Sequence, residues 1–429
     1  MTAGARYGSR VVVSGTKAKA AIVALIVLAL GALGSSSAAD PPRAKRDPLR
    51  EVLFVGNNWD GTADVIRVHH GFKRLARIDI IPDIDERMAE IAGDPVRLGY
   101  FLGIRQLIGE GHDQFVDDMF TTTDGRLLIV SRPSLADVVG IDLASGEIAW
   151  RFVVDGQRSD HMAMSPDGTQ VAVSASTGNV VHVLDSHTGE EVGRFPSGDS
   201  PHENNYSADG RRIYHASIGF VYTPADQPEL DATKGERWFE IVDARTFQVL
   251  ERIDMGEKLA EAGYPEMSSA VRPMALSPNE RFVYFQVSFF HGFVEYDFKR
   301  DRVRRVAELP NFVPDMPREQ YLLDSAHHGI AMNPEGKRLC VAGTMDDYAA
   351  VVSRRTFRYK LIRGGVKPYW VTNSADGRYC FISWSGSDSI SAVSYRKRKV
   401  VATVPVGDHP QRMRMGVVRR SWLRARPGV

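Results

Sequence analysis

The stretch from Val180 to Ser217 reads VVHVLDSHTGEEVGRFPSGDSPHENNYSADGRRIYHAS. It contains alternating apolar runs that are separated by the turn residues Thr-Gly and Asp-Gly. A period of two is typical of half-buried strands, and these residue pairs adopt the backbone angles that tight turns require. The stretch therefore predicts short antiparallel strands that follow one another closely.

Tetrads of the SADG kind recur along the chain, and each is followed by another alternating run. Their third residues are at positions 124, 167, 209, 279, 335 and 376, so three of the five intervals are 41 to 43 residues long. Four strands in about 42 residues is the pattern of a β-propeller blade. Glu51 to Ile80 looks like a blade without its first strand, and Gln411 to Val417 looks like a lone first strand. We therefore predict an all-β, seven-bladed propeller over residues 50–417, in which the N- and C-terminal strands share one blade.

The quoted stretch resembles the YVTN/YncE-like β-propeller repeat family of the WD40-like superfamily. The resemblance covers nearly all of residues 50–417 and implies the same propeller fold. It leaves the function open, because such propellers bind varied partners and only some are enzymes. Blade four departs most from the repeat, since residues 218–236 are inserted between its second and third strands.

The first forty residues follow a different pattern. Four Lys and Arg residues precede an apolar run at residues 20–33, and small residues follow up to Ala39. This order predicts a signal peptide at residues 1–39, a linker at 40–49, and a protein that is secreted or held in the cell envelope. The alternative is an uncleaved membrane anchor at residues 20–33, although 14 apolar residues are short for a bilayer that needs about 20.

Composition narrows the function and the redox chemistry. The 54 Lys and Arg residues balance 53 Asp and Glu residues, so we expect no nucleic-acid partner. Phosphate-binding loops, hydrolase nucleophile elbows and dinucleotide fingerprints are absent from the sequence. Cys340 and Cys380 occupy similar places in neighbouring repeats, where strands are usually too far apart for a bridge. We therefore expect two buried free thiols.

The surplus length is concentrated on one face of the predicted disc. Insertions at residues 82–115, 219–237, 256–270 and 311–326 all follow the second or fourth strand of a blade. We expect this insertion face to be the working face, because loops can vary there without disturbing the ring. Residues 82–115 show helical apolar spacing and predict a small helical insertion, whereas residues 418–429 predict a basic, frayed tail.

The same face receives the beginnings of the innermost strands, where side chains converge near the axis. Three imidazoles with carboxylates suit a divalent transition metal. Without a metal, a histidine beside Glu203 can act as a general base while arginines hold a carboxylate or phosphate. The candidate ligand-binding residues are Asp118, His161, His202, Glu203, Arg272, His328, Tyr369, Trp370 and Arg412, of which His161, His202 and His328 are the candidate metal ligands.

These observations favour a monomeric binding protein that holds a small molecule or a protein at the axial funnel. The alternative is a metal-assisted or acid–base enzyme of the lyase, hydrolase or oxygenase type. Two further expectations concern loops of the insertion face. Phe289 and Phe290 either pack in the core or line an apolar pocket, and Trp59, Trp384 and residues 346–348 are candidates for a pocket wall.

Overall fold

The computed structural model describes residues 47–69, 71–220, 233–321 and 325–426. Within them, seven antiparallel four-stranded sheets form the blades of a propeller, which confirms the predicted fold class. The predicted signal peptide at residues 1–39, and with it the anchor alternative at 20–33, lies outside the described residues. No helix of the described ranges has the length and apolar character needed to cross a membrane.

Each blade runs from an inner strand beside the axis to an outer strand at the rim. Blade one contains β28 (Pro410–Arg419), β1 (Leu49–Asn57), β2 (Thr62–Arg67) and β3 (Lys73–Asp79). Blade two contains β4 (Met119–Thr121), β5 (Leu127–Arg132), β6 (Asp137–Asp142) and β7 (Ile148–Val153). Blade three contains β8 (Ser159–Met164), β9 (Gln170–Ala175), β10 (Val180–Asp185) and β11 (Glu191–Pro196).

The remaining four blades repeat this order. Blade four contains β12 (Pro201–Tyr206), β13 (Arg212–Ser217), β14 (Phe239–Asp243) and β15 (Val249–Ile253). Blade five contains β16 (Val271–Leu276), β17 (Phe282–Val287), β18 (Gly292–Asp297) and β19 (Arg302–Glu308). Blade six contains β20 (Ile330–Met332), β21 (Arg338–Gly343), β22 (Tyr348–Ser353) and β23 (Tyr359–Ile362). Blade seven contains β24 (Pro368–Asn373), β25 (Tyr379–Trp384), β26 (Ser389–Ser394) and β27 (Lys399–Pro405).

The two ends of the propeller meet in blade one, as predicted. Strand β28 pairs antiparallel with β1, with Leu49 opposite Arg419 at one end and Asn57 opposite Pro410 at the other. This pairing removes the sheet edges that an open array of blades would expose. It places Arg412, which is close to the C-terminus in sequence, beside the axis.

The tetrads are turns held by a repeated hydrogen bond. In SPDG, the Ser165 hydroxyl contacts Asp167 Oδ1 at 2.6 Å, and Ser207 repeats the bond to Asp209 at 2.7 Å. The same hydroxyl oxygen accepts a hydrogen bond from the backbone N–H at the start of the next strand. In blade three the Gln170 N–H donates to Ser165 Oγ. Ser and Asp therefore recur because they close the turn locally. The core lies between blades, where the described residues form seven apolar clusters that each join two neighbouring blades.

The insertion between blades one and two is helical, as expected. It contains α1 (Ile84–Gly93) and α2 (Pro95–Leu107), and the Asp94 carboxylate caps the first turn of α2. Arg132, which is fully buried, binds Asp137 and also Asp83 just before α1. Arg97 of α2 donates to the carbonyls of residues 134 and 157. These bonds fix the helices onto blades two and three. A third helix, α3 (Met255–Glu261), lies in the connection to blade five.

The expected pair of free thiols is wrong. Cys340 of β21 and Cys380 of β25 form a disulfide, and their Cα atoms are 6.5 Å apart. Both strands are second from the axis in neighbouring blades, and at this radius the blades come close enough for a bridge.

The end of the chain also differs from the expected frayed tail. Strand β28 continues to Arg419, and α4 (Arg420–Arg424) follows it. The Trp422 side chain is buried, and its indole N–H donates to the carbonyl of Leu143 in blade two. The described part of this segment is therefore docked on the propeller.

Candidate functional site

The inner strands are irregular where they begin at the axis. Strands β8, β12, β16 and β24 each change register against the second strand of the blade at this point. Such bulges redirect side chains and are frequent beside functional sites. The residues within or beside these irregularities are Asp160, His161, His202, Arg272, Tyr369 and Trp370.

Three imidazoles from different blades meet at the axis. We call His161, His202 and His328 the histidine trio. One ring nitrogen from each lies within 4.8 Å of the corresponding nitrogen of the other two. All three side chains are buried, and Nδ1 of both His202 and His328 has no hydrogen-bond partner. Burial, followed by the nearby arginines, lowers the pKa of each of these histidines well below the ordinary 6.5. The trio is therefore neutral at pH 7, which is the form that binds metals.

Glu203 fixes the orientation of one member of the trio. Its Oε2 atom lies 2.9 Å from His161 Nδ1, and the other ring nitrogen of His161 lies beside Asp160 and Asp117. Burial raises the pKa of Glu203 above its usual value, although Arg412 opposes this shift. A carboxylate behind a histidine is the arrangement that commonly orients metal-binding imidazoles.

Two further carboxylates approach the same histidine. His161 Nε2 lies 3.5 Å from Asp160 Oδ1 and 3.9 Å from Asp117 Oδ2, and neither oxygen has a hydrogen-bond partner. Burial raises the pKa of Asp117 to about 7, and the neighbouring carboxylates add to the shift although Arg412 opposes it. Negative charge is therefore crowded at this end of the trio.

Arg412 is the cation at the centre of the cluster. It is fully buried, and its guanidinium lies 3.4 Å from Asp117, 3.5 Å from Glu203 and 3.7 Å from Asp118. It also stacks on Trp370, with the guanidinium carbon 3.8 Å from the ring centroid. The Nε and Nη1 atoms have no partner at hydrogen-bond geometry. Arg412 thus offsets the negative charge of the carboxylates, but it leaves the Asp117 Oδ2 atom without a hydrogen bond.

The candidate Asp118 has a different position from the one expected. Arg414 donates from Nε and Nη2 to the two carboxylate oxygens of Asp118, at 2.8 and 2.7 Å, and the backbone N–H of Met162 also donates to this carboxylate. Burial alone would raise the pKa of Asp118, but Arg414 holds it below the usual range. Asp118 therefore supports the site, and Asp117 faces His161 in its place.

Sequence reasoning missed two arginines of the cluster. Arg158 binds Asp160 at 2.8 Å, and Arg414 binds Asp118. Arg414 is two residues away from the candidate Arg412, and Arg158 is three residues away from the candidate His161. Because side chains two apart on a strand share a face, this spacing was the available signal for Arg414 beside Arg412.

The remaining candidates surround the trio. Tyr369 stacks on His328 with ring centroids 4.3 Å apart, and Arg272 donates from Nε to Ser288 at 2.9 Å. Gly329 makes the first contact feasible, because its φ is +139° and a Cβ atom there would lie 2.8 Å from the Tyr369 carbonyl oxygen. The structure thus brings all the candidate residues to one axial cluster.

An axial cavity of about 230 Å³ adjoins this cluster on its other side. Glu203, Trp370 and Arg414 line it together with later residues of the inner strands. The cavity extends towards the face of the short turns, which we call the turn face. The insertion face was the expected working face, yet this approach to Glu203 comes from the opposite side.

A second histidine group lies between blades five and six. His291 Nδ1 and His327 Nε2 lie 2.6 and 3.0 Å from Asp346 Oδ2, and Tyr321 binds the other nitrogen of His291 at 2.9 Å. Although burial opposes it, hydrogen bonding to these histidines and to the Phe312 N–H lowers the pKa of Asp346 to about 2. His327 Nδ1 has no hydrogen-bond partner, but both ring nitrogens of His291 and the Nε2 atom of His327 are already hydrogen-bonded within the group.

The other loop candidates have separate fates. Phe289 and Phe290 line a cavity of about 310 Å³ with Tyr264 and Met267, whereas Phe285 and Phe293 are core residues. Trp384 is fully buried and donates to Ser391, so it forms no pocket wall. Trp59 is stacked between His112 and His409, at 3.9 and 3.8 Å.

The fold and cluster define a seven-bladed β-propeller with a buried polar centre at its axis. No family model matches the chain, and no curated protein matches it, so the YVTN/YncE resemblance stays a prediction. Among solved structures, the chain is similar to Kuenenia stuttgartiensis hydrazine synthase, with 15% identity and a TM-score of 0.54. The match covers 72% of this chain and 96% of that chain. At this identity the similarity concerns the propeller fold alone.

Proposed function

We propose that this protein is an exported β-propeller that binds a divalent transition-metal ion in the histidine trio. The observation that carries the proposal is the meeting of three buried, neutral imidazoles whose ring nitrogens lie within 4.8 Å of one another. Ligands of such an ion lie about 2 Å from it, and small side-chain rotations bring three nitrogens at this spacing to that distance.

The surrounding groups support a cation at this point. A buried nitrogen without a partner costs about 1–3 kcal/mol, and a bound ion would remove that cost for His202 and His328. The unsatisfied oxygens of Asp117 and Asp160 lie beside His161 and would offset the charge of the ion. Zn²⁺, Cu²⁺, Fe²⁺ and Mn²⁺ all accept imidazole and carboxylate ligands.

Metal analysis of the purified protein tests the proposal. We expect about one equivalent of a transition metal, and after chelation we expect Co²⁺ to restore the occupancy with visible absorption from nitrogen coordination. The variant H161Q/H202Q/H328Q should lose both signals. A matched variant at an exposed histidine, H187Q, should keep them. Wild-type protein that takes up no Co²⁺ after chelation would refute the metal site.

Export is the second part of the proposal. It is supported by the basic, apolar and small-residue order of residues 1–39, and by the Cys340–Cys380 disulfide, because such bonds persist mainly in oxidising compartments. We expect N-terminal sequencing of protein from the cell envelope or medium to begin after Ala39. Mature protein that retains residues 1–39 would support the anchor alternative. We expect a monomer by light scattering.

An acid–base enzyme is the second candidate, and one observation favours it. Glu203 is buried, has a raised pKa, contacts His161 and lines the axial cavity beside Arg414. A carboxylate-bearing molecule in this cavity would meet a carboxyl group whose pKa is raised and a guanidinium together. Binding of succinate or citrate to chelated protein, measured by calorimetry, tests this candidate. The acid–base candidate requires that the affinity for succinate or citrate falls in the Arg414→Gln variant and is retained in the trio variant.

A further inference from the structure

A cavity away from the histidine trio lies on the turn face. It has a volume of about 1060 Å³ and lies between the outer part of blade five and the turns of blades six and seven. Nine Lys and Arg residues line it, against three Asp and Glu residues. The whole chain has a formal charge of only +1, so positive charge is concentrated at this groove.

Part of the positive charge comes from a turn that is acidic in two other blades. The turn between the third and fourth strands reads DLASGE in blade two and DSHTGE in blade three, starting at residues 142 and 185. The same turn reads SRRTFR in blade six and SYRKRK in blade seven, starting at residues 353 and 394. Each sequence makes the turn, so the fold does not require the basic residues.

A buried carboxylate holds part of the groove in place. Glu295 is fully buried and binds Arg304 and Arg305, at 3.0 and 2.5 Å. Arg305 also donates to the carbonyls of Arg354 and Arg355, which fixes the turn that carries them. The Arg354 Nε donates in turn to the Tyr284 hydroxyl at 2.7 Å. The guanidinium groups are thus oriented before any ligand arrives.

Several cations of the groove have no acidic partner. Glu335 and Asp376 pair with the neighbouring Lys337 and Arg378. In the ranges that the structure describes, no carboxylate oxygen lies within 4.0 Å of a side-chain nitrogen of Arg338, Arg355, Arg396 or Lys397. Like charges that line a concave surface repel one another and raise the local potential, so an anion that enters lowers the energy of the whole set.

We propose that this groove binds a compact, soluble anion that carries several phosphate groups. Guanidinium groups bind phosphate oxygens in pairs, and six excess positive charges call for more than one phosphate. The volume is that of a small-molecule site, and its concave shape suits a compact ligand better than a flat membrane surface. This site is independent of the proposed metal function, because no residue of the trio lines the groove, which lies on the turn face.

Calorimetric titration with tripolyphosphate at 50 mM and 200 mM NaCl tests the inference, with inorganic phosphate as the single-phosphate probe. We expect wild-type protein to bind tripolyphosphate at least tenfold more tightly than phosphate, and more weakly at the higher salt concentration. R355E/R396E should weaken binding at least tenfold. The matched variant R211E/R245E changes two exposed arginines in the turns of blade four on the same face, and it should bind as wild type does.

Three results would overturn the inference. The first is the absence of tripolyphosphate binding at 50 mM NaCl. The second is equal weakening in both double variants, which would mean that the probe responds only to net charge. The third is sedimentation with phosphatidylglycerol vesicles that tripolyphosphate does not reverse, which would assign the groove to a membrane surface. The trio variant should still bind tripolyphosphate. The outcome of this experiment therefore does not depend on whether the metal proposal is correct.

Discussion

The Cys340–Cys380 bridge makes a quantitative prediction about stability. The two cysteines are 40 residues apart in sequence, and a cross-link over such a loop restricts the unfolded chain by about 4 kcal/mol. For a folded unit of about 380 residues, the unfolding entropy near the midpoint is about 0.8 kcal/mol/K, so the loss corresponds to about 5 °C in Tm. We therefore expect C340A/C380A to melt about 5 °C below the wild-type protein.

Scanning calorimetry of three samples measures the effect. Both cysteines are fully buried, so reductant reaches the bridge only after unfolding. Wild-type protein that is unfolded, reduced and refolded with reductant keeps both side chains and should show the same loss, which separates the bridge from side-chain packing. C340A/C380A should be indifferent to reductant. Two titratable thiols in unreduced, denatured wild-type protein, or equal melting of all three samples, would refute the reasoning.

Three further predictions concern burial at the axis and at the chain end. Arg412→Met leaves Asp117 and Glu203 without their cationic partner and should cost about 3–5 kcal/mol in urea unfolding, with Arg412→Lys in between. A loss below about 1 kcal/mol would contradict the role given to this charge. Trp422→Ala should cost about 3 kcal/mol, whereas a frayed tail would show no change. The trio, His215 and His409 have lowered pKa values in the folded protein. Between pH 6.5 and 5, therefore, only the unfolded chain binds protons at these histidines. The free energy of unfolding should fall with falling pH by about 1.4 kcal/mol per pH unit for each histidine. Asp117, whose raised pKa has the opposite sign, offsets part of this loss, and the trio variant should flatten the profile.

The fold was predictable because its signals are local. In three of the six tetrads a Ser–Asp hydrogen bond closes the turn locally. Spacing alone located six blades, and the unpaired segments at the two ends gave the seventh. The site was predictable in outline for the same reason, since aligned repeats place the beginnings of the inner strands together. The register changes in these strands were not predictable, because they depend on packing around the axis.

Contacts between blades were the part that the sequence left open. Whether Cys340 reaches Cys380 depends on the distance between second strands at one radius, which no single repeat encodes. In the same way, Arg414 of blade one donates hydrogen bonds to Asp118 of blade two, whereas Asp117 lies beside His161 of blade three. Pairings of this kind arise from the closure of the ring.

The seven repeats themselves separate structural positions from functional ones. The Ser–Asp bond recurs in blades three, four and seven with nearly the same distance, and Thr122–Asp124 and Ser277–Asn279 make the equivalent bond in blades two and five, so the fold favours this kind of polar pair in the turn. The axial positions differ between blades: aspartate in two, histidine in three, four and six, arginine in five and one, and aromatic residues in seven. A fold that accepts all of these side chains requires none of them. The burial of unsatisfied imidazole and carboxylate groups at these positions costs stability, so we infer that a ligand at the axis is the reason for their presence.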